Sequence, residues 1–287
     1  MLWFIIQVLP KKCVSFFVGY FCSLNIPLLS KWATFVFYKK YKIDLSIAEE
    51  QSIKAYFNIT SLFTRKLQEK ARPIAKDAFW VHPADARLFS SGQLKNHQIF
   101  QAKSFFYDLK SFLALDYLSP KIQEKYLLES TFANAQYLDY YLCPTDYHRV
   151  HSPVSGEILA YCYVPGAYWP VNACSRTRVK NLFSKNERLI FYIKTTKGMV
   201  SLTMVGALCV GKIYNSISGD FVNKSIFKKG KATPVFKDNV RHFIKQGDEL
   251  GVFYMGSTVI CLLEPSCSFK KVFTQGQQTK MGSAALL

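Results

Sequence analysis

The most informative stretch of this chain is Tyr254-Met255-Gly256-Ser257-Thr258-Val259, close to the end of the sequence. It lies between two short apolar runs, residues 250–253 and 259–263. Apolar runs on both sides of a small-residue break predict a strand, a turn and a second strand. Ser257 is then held on a tight bend, and its hydroxyl can attack the carbonyl carbon of Gly256 because glycine leaves that approach unhindered. Gly-Ser-Thr is also a common turn, so a purely structural role stays open.

The charge balance predicts a polyanionic partner. The chain has 287 residues and a net charge of +18, from 37 Lys and Arg against 19 Asp and Glu. Hydrophobic residues make up 49% of it, which is enough for a substantial core. The basic residues are dispersed among apolar and aromatic ones, most densely at Lys39-Lys40-Tyr41-Lys42, and no nucleic-acid-binding motif accompanies them. This pattern favours an anionic membrane surface over nucleic acid.

The eight cysteines do not predict a metal site. None forms a Cys-x-x-Cys pair, and no His-x-x-x-His partner accompanies them. Most lie in apolar runs, where we expect them to pack as small hydrophobic side chains in a reducing cytosol.

Residues 1 to about 40 are predicted to form apolar helices that lie in a membrane interface. Residues 13–29 carry no charge, but an asparagine and a proline interrupt them, and they fall short of the roughly 20 residues that span a bilayer. Lys11 and Lys12 follow the apolar start instead of preceding it, so a secretory signal is not expected. A helix buried in the core is the alternative. The lysines expected to reach lipid headgroups are Lys31, Lys39, Lys40 and Lys42.

The rest of the chain predicts an α+β fold. Residues 44–71 have helical spacing of apolar residues, and Pro73 ends that segment. From residue 79 onward the pattern changes to short runs of strand character, interrupted by helices at 108–115 and 120–129. We therefore expect a helical, membrane-associating region over residues 1–75 and a predominantly antiparallel β domain over residues 76–287, which carries the Gly-Ser junction. The clearest strand runs are 79–82, 156–161, 188–193 and 199–204.

Three motifs in the β domain carry reactive side chains. They are Pro83-Ala84-Asp85, Asp146-Tyr147-His148-Arg149-Val150-His151 and Met255-Gly256-Ser257-Thr258. Asp, His and Ser are the residue types that orient a base, remove a proton and supply an oxygen nucleophile. Composition alone gives them little weight, because almost any chain contains all three.

In this order and spacing the motifs resemble those of the bacterial phosphatidylserine decarboxylase proenzymes, and the resemblance covers nearly the whole chain. The histidine-containing block together with the terminal Gly-Ser-Thr is highly specific. Two positions depart from the family pattern: Met255 stands where the family usually has Leu, and Ala86 where it usually has Gly. If residue 86 needs a positive φ, alanine adds strain of about 1–2 kcal/mol. Further segments that carry the resemblance are 63–67, 72–74, 101–103, 107–109, 164–166, 171–172, 186–188, 205–207 and 247–251.

The resemblance implies self-cleavage between Gly256 and Ser257. Asp85 would accept a hydrogen bond from His151, and His151 would remove the proton of Ser257, whose oxygen attacks the Gly256 carbonyl. The resulting ester would break by β-elimination and hydrolysis, leaving a covalent pyruvoyl group derived from Ser257 and releasing ammonia. The products would be a β chain of residues 1–256 and an α chain of residues 257–287.

The resemblance also implies the substrate and the place of action. The amine of phosphatidylserine would form a Schiff base with the pyruvoyl group, and loss of carbon dioxide would give phosphatidylethanolamine. His148 is the candidate proton donor for the substrate carbon; a purely structural, hydrogen-bonded role for His148 is an equal alternative. Arg149 would pair either with the lipid phosphate or with a group of the protein. The enzyme would be a peripheral protein on the cytoplasmic side of the cell membrane, and a homodimer is left open.

Two other functions remain to be weighed. One is a pyruvoyl decarboxylase that acts on a different amine. The basic, aromatic N-terminal region argues against a soluble substrate and favours a lipid. The other is a catalytically silent protein that binds anionic lipid. Such a protein has no need of Asp85, His151 and the Gly256-Ser257 junction, so the sequence favours the enzyme.

Overall fold

In this computed structural model, residues 6–94, 97–102, 105–209, 212–222, 235–268 and 273–285 are described. Residues 1–5 of the predicted N-terminal helical region, and Lys103 of the resembling segments, lie outside these ranges. None of the described helices is both long and apolar enough to cross a bilayer.

The described N-terminal part contains the helices α1 (Lys11–Ser23), α2 (Leu29–Tyr41) and α3 (Ile59–Phe63), and residues 6–8 before them are also helical. The predicted helical character of the first 40 residues is confirmed for α1 and α2. Lys42, with φ of 48°, ends α2 in the left-handed conformation. Asn58 begins α3 with a capping box, in which its side chain accepts from the Ser61 N–H and its own N–H donates to the Ser61 hydroxyl.

The prediction of a continuous helical segment over residues 44–71 is wrong. Only α3 and a 3₁₀ turn, Ile53–Ala55, are helical there. The apolar residues with helical spacing belong to two separate environments: Ile53 packs beside a cluster that contains Tyr56, whereas Phe63 contacts His148. Because the Asn58 cap starts a new helix between them, one continuous helix is excluded.

The described residues form an eight-stranded sheet in the order β11-β6-β7-β8-β13-β4-β1-β14, and all its pairings are antiparallel. The predominantly antiparallel β fold is thereby confirmed. Of the predicted runs, 156–161, 188–193 and 199–204 are strands, whereas in 79–82 only Val81 pairs, in an isolated bridge to Ala284. The strands of this sheet are β1 (Ala86–Gln93), β4 (Gln136–Leu142), β6 (Gly156–Val164), β7 (Arg188–Lys194), β8 (Met199–Val205), β11 (Val235–Ile244), β13 (Ser257–Leu263) and β14 (Gln278–Thr279).

Two smaller sheets complete the described strands. The order of one is β10-β9-β12-β5, and the other is the hairpin β2-β3. Their strands are β2 (Gln98–Ala102), β3 (Phe105–Asp108), β5 (Arg149–His151), β9 (Ile213–Asn215), β10 (Asp220–Phe221) and β12 (Glu249–Phe253). The remaining helices are α4 (Leu109–Leu113), α5 (Pro120–Tyr126), α6 (Leu128–Thr131), α7 (Ala173–Arg176) and α8 (Leu182–Lys185), which include the two predicted helical interruptions.

The large sheet is covered on both faces. On one face α4 packs against β7, where the Arg188 guanidinium donates to the Phe112 carbonyl at 2.8 Å. On the other face lies the small sheet that contains β5 and β12. At Gly251 of β12, a Cβ atom would lie only 2.9 Å from the Met204 sulfur, so glycine is what allows the two sheets to approach here. His151 of β5, and His148 just before it, are thereby carried on the Met204 face of the large sheet.

Candidate active site

Ser257 is the first residue of β13 and lies between the two sheets. It pairs with Leu142 of β4, and because side chains alternate along a strand, its hydroxyl lies on the same face as Val259 and Met204, the face that the small sheet covers. The residue is 1% exposed. A Cβ atom added at Gly256 would meet nothing within 4 Å, so the space beside the carbonyl that Ser257 would attack is open.

The Ser257 hydroxyl is buried without a hydrogen-bond partner among the described residues. A hydroxyl left in that state costs about 1–3 kcal/mol, so it needs an explanation other than stability. Two residues earlier, Met255 has φ of 148°, a conformation that residues with a side chain rarely adopt and that costs on the order of 1–3 kcal/mol. The Gly256-Ser257 bond thus follows a strained residue and adjoins an unpaired nucleophile.

His151 is buried and held through both ring nitrogens. Its Nδ1 lies 2.7 Å from the Gly247 carbonyl oxygen, which can only accept, so Nδ1 carries the proton. Its Nε2, 3.0 Å away from the Tyr147 hydroxyl, accepts from it. Burial is the largest influence on the pKa of His151 and lowers it, and the charge of Arg149 lowers it further. The bond to the Gly247 carbonyl and the charges of Glu249 and Asp85 act in the opposite direction and raise it, but less strongly. His151 is therefore neutral near pH 7, with its basic nitrogen engaged by Tyr147.

Asp85 has other partners than those expected from the sequence. Its carboxylate accepts three charge-assisted bonds from Arg72, at 2.9 Å, 3.2 Å and 2.6 Å, and one bond from the backbone N–H of Met281 at 2.9 Å. Since both nitrogens of His151 bind Tyr147 and Gly247, the expected direct bond between Asp85 and His151 is not formed in this structure. The Gly247 carbonyl, not Asp85, fixes the tautomer.

His148 is fully buried and directly precedes β5. Its Nδ1 donates to the Asp146 carbonyl at 2.8 Å, and its Nε2 is buried without a partner among the described residues. The ring of Phe63, the last residue of α3, lies 3.8 Å from it between centroids. Burial lowers the pKa of His148 to about 3, helped by the charge of Arg65 and opposed by the bond to Asp146. His148 is neutral here, with a free basic nitrogen.

Arg149 is engaged within the protein. Its guanidinium forms an ion pair with Glu249 at 2.7 Å and donates to the Thr64 carbonyl at 3.1 Å and 3.0 Å. These bonds tie β5 to β12 and to the end of α3, which supports the structural alternative for this residue. Ala86 is not among the residues with positive φ, so the strain considered for its replacement of glycine does not arise.

Sequence reasoning missed a buried arginine behind Ser257. Arg176 forms an ion pair with Asp139 of β4 and donates to the Thr258 hydroxyl at 3.1 Å and to the Val171 carbonyl at 2.7 Å. Thr258 follows Ser257 directly, so this network holds the start of β13 from the opposite face of the sheet. Gln101 supports the same segment by donating to the Arg176 carbonyl at 2.7 Å. Only the strand register reveals this contact, because it joins four distant parts of the chain.

The N-terminal helices contact the β domain on α1 and reach the site itself at α3. On α1, the Ser15 hydroxyl accepts from the backbone N–H of Cys209 at 3.0 Å, four residues after β8 ends. The Lys11 ammonium of α1 lies 3.8 Å from the centroid of the Trp169 ring. Phe63 of α3 lies beside His148, with the two rings tilted against each other by 38°. Among the described residues, no group of three or more His, Cys, Asp or Glu is placed to hold a metal ion.

Comparison with known proteins identifies the family. The family model for phosphatidylserine decarboxylase matches residues 59–286. The chain is 32% identical over 255 residues to a phosphatidylserine decarboxylase proenzyme of Legionella pneumophila (strain Lens), covering 89% of this chain and 86% of that one. Proteins of the same name from Coxiella burnetii (strain Dugway 5J108-111) and Myxococcus xanthus (strain DK1622) are 30% and 35% identical, over 98% and 91% of this chain and 97% and 88% of their own. A match that spans the reactive junction and both histidines shows that this chain belongs to the phosphatidylserine decarboxylase family, and that it is a decarboxylase.

Proposed function

We propose that this chain is a precursor that cleaves itself between Gly256 and Ser257 and then converts phosphatidylserine to phosphatidylethanolamine with release of carbon dioxide. One observation carries the proposal: the Ser257 hydroxyl is buried and unpaired next to an open glycine carbonyl, in a chain of this family. An inert lipid-binding protein has no reason to retain such a costly arrangement.

Self-cleavage begins with the Ser257 oxygen attacking the Gly256 carbonyl carbon. His151 accepts the proton of the hydroxyl at Nε2, and the amide becomes an ester as the nitrogen of Ser257 leaves the carbonyl and takes up a proton. Loss of the α proton of Ser257 then breaks the ester Cβ–O bond. The remaining dehydroalanine adds water and releases ammonia. The strain at Met255 is relieved if the bond after Gly256 opens, which favours cleavage.

The residues at the junction fit a pyruvoyl group. The group has no charge, and the position of Ser257 is closed to solvent and adjacent to open space at Gly256. When present, the group supplies a carbonyl carbon for the substrate amine and an electron sink for the bond to the departing carbon dioxide. Thr258, held by Arg176, fixes the strand on which that carbonyl would stand.

His151 is the proposed base for cleavage. Its neutral form has the basic nitrogen at Nε2, and the hydroxyl of Tyr147 must leave that nitrogen before the serine proton can be taken. The carboxylates of Asp85 and Glu249 both act to raise the pKa of His151, so they stabilise the imidazolium that forms. We therefore assign Asp85 an electrostatic role across the site, with Arg72 and the Met281 N–H holding it in place.

His148 is proposed to handle a proton in the decarboxylation step. Its free Nε2 can accept a proton and return it to the substrate carbon once carbon dioxide has left. Because its pKa is about 3 in the closed precursor, it can hold that proton only after the surroundings change or a substrate charge approaches. Its contact with Phe63 couples it to the N-terminal helices.

The region before residue 75 is proposed as the membrane contact, and residues 76–287 as the catalytic domain. Large apolar side chains stand exposed on α1, on α2 and beside α3, and an exposed apolar surface of this extent marks a membrane or protein contact. Lys39 and Lys40 lie at the end of α2, and Lys31 stands 5.6 Å from the Phe57 ring, where all three can meet anionic headgroups. We define this membrane-facing surface by its exposed members Phe17, Tyr20, Phe21, Leu28, Trp32, Phe35 and Phe57.

This surface favours a lipid substrate over a soluble amine. Its helices and its basic residues belong to the same N-terminal region as Phe63, which contacts His148, and Ser15 of α1 ties this region to the β domain at Cys209. A headgroup lifted from the membrane would reach the Ser257 position without the protein leaving the surface. Attachment at the cytoplasmic side is the location that we propose.

The test compares the purified wild-type protein with Ser257→Ala. We expect wild type to appear as two chains and to release carbon dioxide from phosphatidylserine vesicles, and Ser257→Ala to remain one chain without activity. Normal cleavage of Ser257→Ala would remove Ser257 as the nucleophile. A wild-type chain that stays whole and inactive but binds the vesicles would favour the silent lipid-binding alternative.

A further inference from the structure

A buried carboxyl group lies two strands away from Ser257 on the same face of the large sheet. The register pairs Thr258 with Val205 and Val205 with Arg188. Continuing this register by one residue aligns Ser257, Gly206 and Glu187 in a row, and on the Glu187 side the Gly206 N–H donates to the Glu187 carbonyl at 2.8 Å. Because neighbouring strands lie about 4.8 Å apart and paired residues share a face, the Glu187 side chain and the Ser257 hydroxyl flank Gly206.

The Glu187 carboxyl leans over Gly206. A Cβ atom placed at Gly206 would lie 3.9 Å from Oε1 of Glu187, and its nearest neighbour of any kind would be 3.5 Å away. Alanine would therefore fit at this position without a clash. What glycine provides is a gap free of side-chain atoms between the carboxyl and the reactive junction.

The carboxyl is held in place by two tyrosines. The Tyr163 hydroxyl donates to its Oε2 at 3.0 Å, and the Tyr168 hydroxyl donates to the same oxygen. Two hydroxyl donors to one oxygen suit an ionised carboxylate and offset part of the cost of burying it. Glu187 is 1% exposed, so its interactions with any charge that enters the site are little screened by water.

We propose that the Glu187 carboxylate binds the ammonium group of the phospholipid headgroup and accepts a proton from it. This inference rests on the proposed function, since it concerns the substrate of the same site. An ammonium nitrogen has no lone pair, so it must lose a proton before it can bond to a carbonyl carbon. The proton passes from the nitrogen to a carboxylate oxygen, which leaves a neutral amine and a neutral carboxylic acid. That transfer removes both charges from a buried site, where a charge pair is costly.

The two histidines are less suited to this step. The basic nitrogen of His151 is engaged by Tyr147, and His148 is uncharged, so neither attracts an ammonium group as a carboxylate does. Glu187 combines the negative charge with a position across the open gap at Gly206. The chemical class that it would select is a primary ammonium, which a quaternary headgroup cannot replace because it has no proton to give.

The test separates proton removal from access to the carbonyl. Wild type, Glu187→Gln and Glu187→Asp are first assayed for self-cleavage. Each is then treated with cyanoborohydride and phosphatidylserine vesicles, or with methoxyamine, whose amine is already neutral at pH 7. The covalent mass added to the C-terminal chain is followed with time. Glu264→Gln is the matched control: this glutamate accepts from the Met199 N–H at 2.6 Å, at the opposite end of β8 and β13.

We expect all variants to cleave and to capture methoxyamine at the wild-type rate. Capture of phosphatidylserine should fall on the order of 10²-fold in Glu187→Gln, recover in part in Glu187→Asp and stay unchanged in Glu264→Gln. Capture of both amines at the wild-type rate by Glu187→Gln would overturn the proposal. So would an equal loss of both, or a failure of Glu187→Gln to cleave, because each would make Glu187 structural or assign it to cleavage. A wild-type protein that neither cleaves nor captures methoxyamine would instead contradict the proposed function.

Discussion

Burial of His148 should make the stability of the precursor depend on pH through this one side chain. The perturbation is His148→Gln in the Ser257→Ala background, which keeps the protein in one piece during unfolding. Glutamine can still donate to the Asp146 carbonyl, but it loses the Phe63 ring contact and does not titrate. We expect lower stability near pH 7.5 and a weaker dependence on pH, so that the two proteins become more alike as the pH falls.

The size of the effect follows from the two pKa values of His148. The pKa is about 3 in the folded chain against an ordinary value of 6.5, so between these values the unfolded state binds one proton more than the folded state. The stability from keeping His148 neutral is fully present above pH 6.5 and is lost as the pH falls towards 3. Each pH unit well inside this window is worth about 1.4 kcal/mol, and the step from pH 6 to pH 5 about 1.2 kcal/mol.

The assay is urea unfolding of both proteins at a series of pH values from 5 to 7.5. Other titrating groups contribute equally to the two proteins, so the difference between their curves isolates His148. The background protein should lose about 1.2 kcal/mol more than His148→Gln between pH 6 and pH 5. Parallel curves would refute the assignment of a buried, neutral His148.

Three further predictions concern the base, the carboxylate and the membrane. Tyr147→Phe should cleave roughly fivefold faster at pH 7, because Nε2 of His151 no longer has to give up a hydrogen bond worth about 1 kcal/mol before it takes the serine proton. The acid limb of the pH profile of the cleavage rate should move to higher pH, because neutral His151 loses the bond that stabilises it. Slower cleavage, followed on gels over pH 5–8, would instead make the Tyr147 hydroxyl part of the proton path. Asp85→Asn should slow cleavage on the order of tenfold, because the imidazolium that forms at His151 loses a negative charge that stabilises it, and an unchanged time course would remove this electrostatic role. Trp32→Ser should reduce the fraction of protein that floats with anionic vesicles at all salt concentrations, whereas Lys39→Gln together with Lys40→Gln should make that fraction less dependent on salt. Vesicle binding that is unchanged in both variants would place the membrane contact elsewhere.

The sequence predicted the strands that surround the reactive junction, because their apolar runs are short and bounded by turn residues. Residues 188–193 and 199–204 are strands at nearly those bounds. It failed over residues 44–71, where apolar spacing alone could not show that Tyr56 and Phe63 pack in different places. A helical pattern predicts a helix only if its apolar residues share one environment.

Which side chains meet at the site could be predicted only in part. The motif that contains both histidines and the Gly-Ser junction pointed to the correct region of the chain. The partners of each group depend on strand register and on distant loops, as when Asp85 takes the N–H of Met281 and His151 the carbonyl of Gly247. Glu187 lies in the resembling segment 186–188, but no role for it could be read from the sequence, because its place in line with Ser257 follows from the order β7-β8-β13.

The mass of the C-terminal chain from freshly folded wild-type protein tests most directly whether the chain cleaves itself and forms a pyruvoyl group. We predict a chain of residues 257–287 whose first residue is a pyruvoyl group, with no free N-terminal amine and with a carbonyl that reacts with methoxyamine. A single chain of 32.9 kDa that nevertheless decarboxylates phosphatidylserine would contradict the account. A C-terminal chain that begins with an intact serine would contradict it as well.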